Sequence, residues 1–402
     1  MFDPAKTLTV LKNSHRLRSV HEYILSGNKI TVSGAELINF SSNDYLSLSV
    51  HDAVINTSIG FTKKYGAGSA SSRLICGNIP PYAEAEKKLS ELNSTQSSLI
   101  FSSGYAANTG IIGSLSNSGT GFFVDRLCHA SIADALAVSR RNVHRFKHND
   151  TGHLETLLKK YSSGYENSII ITETVFSMDG DTAPVRDIAG LAKKYSAMLY
   201  LDEAHAIGVF GTRGGGLHEE AAVLPAEDLI IMGTCGKALG SFGAFFSGTP
   251  AMREYLINTS RPFIYTTALP PSVLGALVGA LNVLQAEPDI GKVLLARARL
   301  LRTELQSESI PLIDGNSQII CIKAGTDENA LSLSAWLKSH RVFAPAIRPP
   351  TVPEGQSRIR VTLTRGHTES DINELINALK GFRDKGGLAD SVQHSAVRDQ
   401  RV

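Results

Sequence analysis

Cysteine is scarce in this chain. Four thiols are spread over 402 residues, at Cys76, Cys128, Cys235 and Cys321. No two of them form a C-x-x-C pair and none belongs to a cysteine–histidine cluster, so the sequence predicts neither a disulfide framework nor a zinc site. We therefore expect reduced thiols and no bound metal.

An excess of charge of one sign is also missing. Forty basic and thirty-eight acidic side chains leave a formal charge of +2, and no Lys/Arg run resembles a nucleic-acid or membrane-surface footprint. The best apolar stretch, LGALVGALNVL from Leu274, is far shorter than the roughly 20 residues that cross a bilayer. The N-terminal MFDPAKTLTVLK has no apolar signal-peptide core. We expect a cytoplasmic protein that binds neither nucleic acid nor membrane.

Short apolar runs are abundant. Between residues 98 and 246 they alternate with helix-compatible segments, and they read SSLIFSS, TGFFVD, NVHRFKH, NSIIITET, SAMLYLDE, EDLIIMGT and GAFFSG. Runs with little polar alternation are typical of strands buried on both faces, and intervening helices favour parallel pairing. The sequence therefore predicts an α/β fold with a large, mostly parallel sheet.

The last hundred residues have a different pattern. ALSLSAWLKSH predicts a helix, SRIRVTLT alternates like a half-exposed strand, and Thr368 and Asp371 have capping-box spacing before another helix. We predict an N-terminal arm over residues 1–45, a large α/β domain over 46–283 and a small α+β domain over 284–384. Residues 385–402 are expected to form a mobile tail.

Polar residues follow directly after several apolar runs. They are Asn108, His129, Glu173, Ser177, Asp202, His205, Thr234 and Lys237. Each has an ordinary explanation by itself, because an aspartate can cap a helix, a histidine can be a satisfied core residue and a lysine can be a solvated charge. Ligands of open α/β sheets bind beyond the carboxyl ends of the strands, so the convergence of these residues favours a binding crevice.

Two nucleotide-binding alternatives fit poorly. The DEAH sequence at residues 202–205 is compatible with an ATPase, but the required G-x-x-x-x-G-K-[ST] loop should come earlier in the chain. In IIMGTCGKALG the lysine follows DEAH, Ala238 replaces the magnesium-binding hydroxyl and Ile231 stands at the first glycine. GAGSAS from Gly66 lacks the third glycine of a dinucleotide fingerprint. A phosphate-binding loop of another kind stays open.

A lysine after one strand and Asp-x-x-His after another suit pyridoxal phosphate. The amine can form a Schiff base with its aldehyde, and the carboxylate can keep its ring nitrogen protonated. At a separation of about 4 Å and an effective dielectric of about 20, that pairing contributes roughly 4 kcal/mol, or about three pKa units. His129 could stack on the ring, while Thr234 and helix amides in SSGYAAN could hold the phosphate.

With these motifs in this order, the chain resembles the fold-type I pyridoxal-phosphate enzymes. Within them it is similar to the α-oxoamine synthases, which join an amino acid to an acyl thioester with loss of CO₂. The resemblance spans about residues 35–383 and includes NFSSNDYLSL, YGAGSASSRLICGN, SGYAAN, HASIADA, TETVFSMDGD, LDEAHAIGVFG, GTCGKALGSFG, RPFIYTTALPP and AIRPPTVPEGQSRIRVTLT. It implies a large cofactor-binding domain and a smaller C-terminal domain.

The resemblance also implies roles for individual residues. Lys237 would be the Schiff-base lysine, Asp202 the partner of the ring nitrogen and His129 the stacking residue. The implied contacts of the phenolic oxygen and the phosphate are His205, Ser177, Gly104, Tyr105, Thr234 and, from a second subunit, Thr266 or Thr267. The implied substrate-binding residues are Asn43 and Arg360 at the amino-acid carboxylate, Glu173 near the acyl group and Arg16 at the thioester or carboxylate. Because Thr266 or Thr267 would come from a second subunit, the resemblance also implies an obligate homodimer.

Two segments favour particular members of the family. RPFIYTTALPP and AIRPPTVPEGQSRIRVTLT are most similar to members that condense L-alanine with a pimeloyl thioester in biotin synthesis. Glycine C-acetyltransferase, 5-aminolevulinate synthase and serine palmitoyltransferase share this chemistry and stay open as alternatives. A catalytically silent binding protein of the same fold is a further alternative, and the thioester could be carried by coenzyme A or by an acyl carrier protein.

Overall fold

The structure is a computed structural model that describes residues 3–13, 16–139, 142–223 and 225–388. The chain divides into two compact units. The smaller comprises Met1–Ser42, Met178–Gly180 and Ala296–Val402, and the larger comprises Asn43–Ser177 and Asp181–Leu295, as far as these residues are described. The predicted arm, domains and tail stay predictions. Most of the predicted tail, from residue 389 on, lies outside the described residues.

The described residues contain fourteen strands and fourteen α-helices. The strands are β1 (Ile24–Ser26), β2 (Lys29–Val32), β3 (Ala35–Asn39), β4 (Ser97–Phe101), β5 (Thr120–Asp125), β6 (Asn142–Phe146), β7 (Asn167–Glu173), β8 (Met198–Asp202), β9 (Leu229–Thr234), β10 (Ala244–Gly248), β11 (Ile319–Gly325), β12 (Val342–Phe343), β13 (Ala346–Ile347) and β14 (Ser357–Thr362). The helices are α1 (Pro4–Asn13), α2 (Asp52–Tyr65), α3 (Pro80–Asn93), α4 (Gly104–Leu115), α5 (Ala130–Ser139), α6 (Thr151–Tyr161), α7 (Val185–Lys194), α8 (Leu217–Glu220), α9 (Pro250–Thr259), α10 (Arg261–Ile264), α11 (Pro271–Ala286), α12 (Ile290–Ser307), α13 (Asp327–Ser339) and α14 (Glu369–Asp384).

The larger unit is built on one seven-stranded sheet, in the order β4-β10-β9-β8-β7-β5-β6. Its strands are the seven apolar runs that the sequence predicts. Strands β9, β8, β7, β5 and β6 pair in parallel, whereas β10 runs antiparallel to both β4 and β9. The predicted α/β fold with a mostly parallel sheet is therefore confirmed.

The sheet is buried because helices cover it. Strand β5 is buried over its whole length and β7 from its second residue onward. Ile111 of α4 and Leu136 of α5 belong to the same apolar cluster as Phe122, Ile171 and Tyr200 of the sheet. Burying one such side chain fully contributes about 1.5–3 kcal/mol, so the sheet is a rigid platform for the residues at its edge.

One edge of this sheet collects the chain segments that carry chemistry. Since β10 is antiparallel to its two neighbours, the other six strands all run in the same direction, and their carboxyl ends share one edge. Strands β7 and β8 pair Glu173 with Asp202, and β8 and β9 pair Asp202 with Met232. The residues that follow each strand therefore meet, as predicted for an open α/β sheet.

The smaller unit has a three-stranded sheet, β11-β14-β13, and a four-stranded sheet, β1-β2-β3-β12. The prediction of a half-exposed strand at SRIRVTLT is wrong, because all six residues of β14 are buried. Two polar members of the alternation are buried arginines with hydrogen-bond partners, since Arg358 donates to Asp179 at 2.5 Å and Arg360 to Thr362 at 2.9 Å. The capping box that begins α14 is present as predicted.

Two predictions from composition concern the chain as a whole. No helix in the described part of the chain is long and apolar enough to cross a membrane. The four cysteines are free thiols.

Candidate active site

A contact between a lysine and a histidine lies beyond the ends of β8 and β9. Lys237 Nζ is 2.8 Å from His205 Nε2, and the other ring nitrogen of His205 is 2.5 Å from the Tyr45 hydroxyl. His205 is 6% exposed and Tyr45 is fully buried. Tyr45 therefore fixes the imidazole plane, and the imidazole in turn holds the lysine amine at the sheet edge.

Asp202 ends strand β8 as a buried carboxylate. It accepts a hydrogen bond from Asn108 Nδ2 at 3.0 Å and one from the Ala204 N–H at 3.0 Å. Burial raises the pKa of Asp202, while the Asn108 hydrogen bond and the Lys237 charge oppose that rise. A buried carboxylate of this kind is stabilised further by a cationic partner, such as a protonated ring nitrogen.

Glu173 ends strand β7 beside Asp202, its partner in the sheet register. Burial, and after it the neighbouring Asp202 carboxylate, raise the pKa of Glu173 well above its ordinary value. Two adjacent carboxylates in a buried site do not both ionise readily. Burial and the Asp202 carboxylate thus both favour the protonated form of Glu173, which can donate a hydrogen bond.

His129 lies just before α5. The residue is exposed, but the groups around its ring are sufficient for desolvation to lower the pKa of the imidazole. Its Nδ1 is 2.8 Å from Ser131 Oγ and accepts the Ser131 N–H at 3.2 Å. These contacts favour a neutral ring, and an exposed, neutral imidazole suits stacking on a planar ligand.

The N-terminus of α4 meets the end of β9. A Cβ atom added to Gly104 would come within 2.9 Å of Thr234 Cγ2, so this close approach requires glycine. The first hydrogen bond of the α4 ladder comes from Ala107 N–H, which leaves the Gly104 and Tyr105 amides at the helix terminus. Helix N-termini bind phosphate through such amides.

Asn43 and Tyr105 lie in the same unit as these groups. The Tyr45 hydroxyl is 3.3 Å from Asn43 Oδ1 as well as in contact with His205, so Asn43 is near the lysine–histidine pair. The exposed Tyr105 side chain points its hydroxyl at Asp134, at 2.8 Å. Only the Tyr105 backbone is thus placed for a phosphate.

The remaining predicted residues are less closely tied to this group. Ser177 and Thr266 are half-buried in the larger unit, and Thr267 is exposed. Arg16 and Arg360 belong to the smaller unit, where Arg16 is ion-paired with Glu354 and Arg360 donates to Thr362. The roles implied for these five residues stay predictions.

Glu203, the second acid of the DEAH sequence, holds neighbouring segments together and is not part of the lysine–histidine site. Glu203 accepts hydrogen bonds from Thr174 Oγ1 at 2.6 Å, Leu217 N–H at 2.9 Å and His218 N–H at 2.8 Å. It also lies 3.0 Å from His218 Nδ1. Glu203 therefore anchors the beginning of α8, and within the described residues no cluster of three or more His, Cys, Asp or Glu is suited to a metal ion.

Tyr45, Ser131 and Tyr200 contact the site but are not among the residues predicted from the sequence. Tyr45 lies in NDYLSL, two residues after the predicted Asn43. Tyr200 lies two residues before Asp202 on β8, and the period of a strand places both on one face of the sheet. That spacing was a usable signal, whereas nothing local in the sequence indicated Ser131.

These groups together fit pyridoxal phosphate. An amine, a buried carboxylate and an exposed histidine are available for the cofactor's aldehyde, ring nitrogen and ring face. The approach of Gly104 to Thr234 places a hydroxyl beside two helix-terminal amides, which is a donor set suited to the phosphate.

The fold and this set of groups define a fold-type I pyridoxal-phosphate enzyme. The sequence profile of the family aminotransferase class I and II matches residues 35–379. The chain therefore belongs to the aminotransferase class I and II family, and its cofactor is pyridoxal 5'-phosphate.

Several known proteins are similar to this chain. A Desulfosudis oleivorans protein and a Geobacillus kaustophilus protein, both called "Putative 8-amino-7-oxononanoate synthase", are each 41% identical to it, over 89% of this chain and 92% of theirs. The Francisella tularensis 8-amino-7-oxononanoate synthase structure has a TM-score of 0.75 at 28% identity, over 87% of this chain and 98% of its own. Sphingomonas wittichii serine palmitoyltransferase has a TM-score of 0.88 at 27% identity, over 96% and 97%. The chain is accordingly a pyridoxal-phosphate-dependent acyltransferase of the α-oxoamine synthase type, as predicted.

Proposed function

We propose that this enzyme condenses L-alanine with a pimeloyl thioester to give 8-amino-7-oxononanoate, CO₂ and a free thiol, a step of biotin biosynthesis. The observation that carries the chemistry is the contact of Lys237 with His205 beside the buried Asp202 carboxylate. The substrate assignment is supported by the names of relatives that are 41% identical over 89% of the chain.

Four side chains hold the reactive part of the cofactor in this proposal. Bound pyridoxal phosphate supplies an aldehyde for the substrate amine and a protonated ring that accepts an electron pair from the amino-acid Cα. Asp202 holds the proton on the ring nitrogen, and His129 stacks on the ring. His205 and Ser177 orient the phenolic oxygen, while the Gly104 and Tyr105 amides and the Thr234 hydroxyl bind the phosphate.

Lys237 moves the proton. Its Nζ takes the proton from Cα of alanine, and that carbon then bonds to the acyl carbonyl carbon while the carbon–sulfur bond breaks. The sulfur leaves as a thiolate and takes up a proton from solvent to become the free thiol. The carboxylate next leaves as CO₂, and its electron pair stays with the same carbon, to which Lys237 returns a proton. His205, 2.8 Å from Nζ, orients the amine for both transfers.

Substrate binding is assigned to four residues. Asn43 and Arg360 bind the amino-acid carboxylate, and Arg16 contacts the thioester or a carboxylate. Glu173 lies near the acyl group, and burial and the Asp202 carboxylate raise its pKa. In its protonated form it can donate a hydrogen bond to the acyl carbonyl oxygen without adding a negative charge.

The working form is proposed to be a homodimer in which Thr266 or Thr267 reaches the phosphate of the partner subunit. Large apolar side chains are exposed on the larger unit, among them Ile75 at 80%, Tyr265 at 73% and Phe242 at 54%, and exposed apolar surface favours association. Co-expression of Lys237→Ala with a Thr266→Ala/Thr267→Ala double variant tests this assembly. Mixed dimers should recover activity that neither parent has, and a mixture as inactive as its parents contradicts the cross-subunit contact.

Two measurements test the substrate. The absorbance of the bound cofactor is followed while L-alanine, glycine or L-serine is added. Thiol release is then measured after the addition of pimeloyl-CoA, acetyl-CoA or palmitoyl-CoA. Thiol release with alanine and pimeloyl-CoA is the expected result. Turnover only with glycine and acetyl-CoA, or only with serine and palmitoyl-CoA, keeps the enzyme class and overturns the substrate. A pimeloyl acyl carrier protein in the same assay shows which carrier is used.

A further inference from the structure

Asn108 of α4 is the centre of a buried hydrogen-bond network. Its Nδ2 donates to Asp202 Oδ2 at 3.0 Å and to Ser131 Oγ at 2.9 Å, and its Oδ1 accepts from the Tyr200 hydroxyl at 2.5 Å. Asn108, Ser131 and Tyr200 are at most 2% exposed. Both amide hydrogens and the amide oxygen therefore have protein partners.

The partners allow only one orientation of this amide. An ionised carboxylate only accepts hydrogen bonds, so Asp202 requires the nitrogen of Asn108 and not its oxygen. Tyr200 has one proton to donate, and the Asn108 oxygen is the acceptor that lies within reach of it. If the Asn108 amide turned over, its oxygen would face the carboxylate and its nitrogen would face the Tyr200 hydroxyl. The Tyr200 hydroxyl thus locks the donor side of Asn108 toward Asp202.

The same amide also reaches His129. Ser131 Oγ accepts from Asn108, which leaves the Ser131 hydroxyl proton for His129 Nδ1 at 2.8 Å. The Ser131 N–H points to the same nitrogen at 3.2 Å. Two donors on Nδ1 orient the imidazole of His129 and favour its neutral form with the proton on Nε2.

We propose that Tyr200 and Asn108 are positioning residues for the cofactor ring, in which one locked amide orients both the carboxylate of Asp202 and, through Ser131, the imidazole of His129. This inference deepens the proposed function and rests on its assignment of Asp202 to the ring nitrogen and His129 to the ring face. Tyr200 itself touches neither the cofactor nor the substrate in this proposal.

Electrostatics makes the amide important for Asp202. Burial raises the pKa of this carboxylate, and the Asn108 hydrogen bond is the largest opposing influence, ahead of Lys237. After burial, the charge of Asp202 in turn raises the pKa values of Glu173, Cys128 and Tyr200, and it opposes the lowering of the pKa of His129 by burial. Loss of the locked amide therefore weakens the ionised form of Asp202, and with it the hold on a protonated ring nitrogen.

The test uses Tyr200→Phe, which removes one hydroxyl and keeps the ring that packs in the core. Dissociation constants are measured for pyridoxal 5'-phosphate and for its 1-deaza analogue, in which a carbon replaces the ring nitrogen. Tyr165→Phe is the matched control, because it also removes one hydroxyl with a hydrogen bond, 2.9 Å to His144 Nε2, and it precedes β7 at the opposite edge of the sheet.

Tyr200→Phe should weaken binding of the natural cofactor about five- to tenfold, the effect of one lost buried hydrogen bond. Binding of the 1-deaza analogue should change less than about twofold, since that ligand lacks the atom on which Asp202 acts. Tyr165→Phe should leave both constants unchanged. Equal weakening of the two ligands, or no weakening of either, overturns the proposal, because a merely structural tyrosine does not distinguish them.

The binding constants of the wild-type protein distinguish a failure of the positioning role of Tyr200 from a failure of the proposed function. If the wild type binds both ligands equally well, the assignment of Asp202 to the ring nitrogen is wrong. If the wild type prefers the natural cofactor and Tyr200→Phe keeps the same preference, only the positioning role fails. Asn108→Ala provides a second variant should Tyr200→Phe not fold, and it should lose the preference for the natural cofactor in the same way.

Discussion

His148 is expected to make the stability of the larger unit depend on pH. Its Nδ1 is 3.1 Å from Asp125 Oδ1 and its Nε2 is 2.8 Å from Asp181 Oδ2. The ring also packs edge-on against Phe176, at 4.3 Å between centroids. Burial by itself lowers the pKa of His148, but the hydrogen bonds to the two carboxylates outweigh it and raise the pKa to about 9.

The sign of the effect follows from this direction. The pKa of His148 is higher in the folded chain than its ordinary value of 6.5, so the folded state binds the proton more tightly than the unfolded state does. The stabilisation is complete below about pH 6.5, decreases as the pH rises and is lost above about pH 9. A difference of roughly 2.5 pKa units corresponds to about 3 kcal/mol. Because the side chain is 18% exposed, solvent screening reduces this figure, and we expect about 1–3 kcal/mol.

The measurement is the free energy of unfolding in urea at pH 6 and pH 9.5 for the wild type, His148→Gln and His144→Gln. Glutamine can replace the hydrogen bonds of His148 but not its charge. His144 is a suitable control because burial lowers the pKa of that ring. Between the two pH values the free energy of unfolding of the wild type should fall by about 1–3 kcal/mol more than that of His148→Gln. The free energy of unfolding of His144→Gln should fall by about as much as that of the wild type. The same pH dependence in the wild type and His148→Gln would show that His148 does not cause the effect.

Three further substitutions test the site. Gly104→Ala places a Cβ 2.9 Å from Thr234 Cγ2, and such overpacking costs about 1–3 kcal/mol. The dissociation constant of pyridoxal phosphate should therefore rise at least about fivefold. An unchanged constant would argue against a phosphate site at α4. Tyr45→Phe removes the 2.5 Å contact with His205 and should lower kcat about five- to tenfold with little change in cofactor affinity; steady-state kinetics that match the wild type would contradict the positioning of the imidazole. Asp202→Asn should keep the cofactor but lower kcat about a thousandfold, the equivalent of roughly 4 kcal/mol for one close charge pair; near-normal turnover would rule out the assigned role.

Local patterns were sufficient to predict much of the fold. The seven apolar runs became the seven strands of the large sheet, because a strand buried on both faces leaves a continuous apolar segment in the sequence. The capping box of Thr368 and Asp371 was likewise predictable, because its two residues are only three positions apart in the sequence. SRIRVTLT misled because its alternation implies that Arg358 and Arg360 face water, whereas both are paired inside the smaller unit.

The sequence by itself determined which residues meet at the sheet edge, because lysine, aspartate and histidine after consecutive apolar runs come together at one edge of a parallel sheet. Only the tertiary structure decided how those residues are oriented. The partners of Asn108 lie 23, 92 and 94 positions away, at Ser131, Tyr200 and Asp202, and no local pattern relates any of them to Asn108. The raised pKa of His148 likewise depends on carboxylates 23 and 33 residues away. Hydrogen bonds and charges act through space, so their partners are set by the order in which the strands pair and not by distance along the chain.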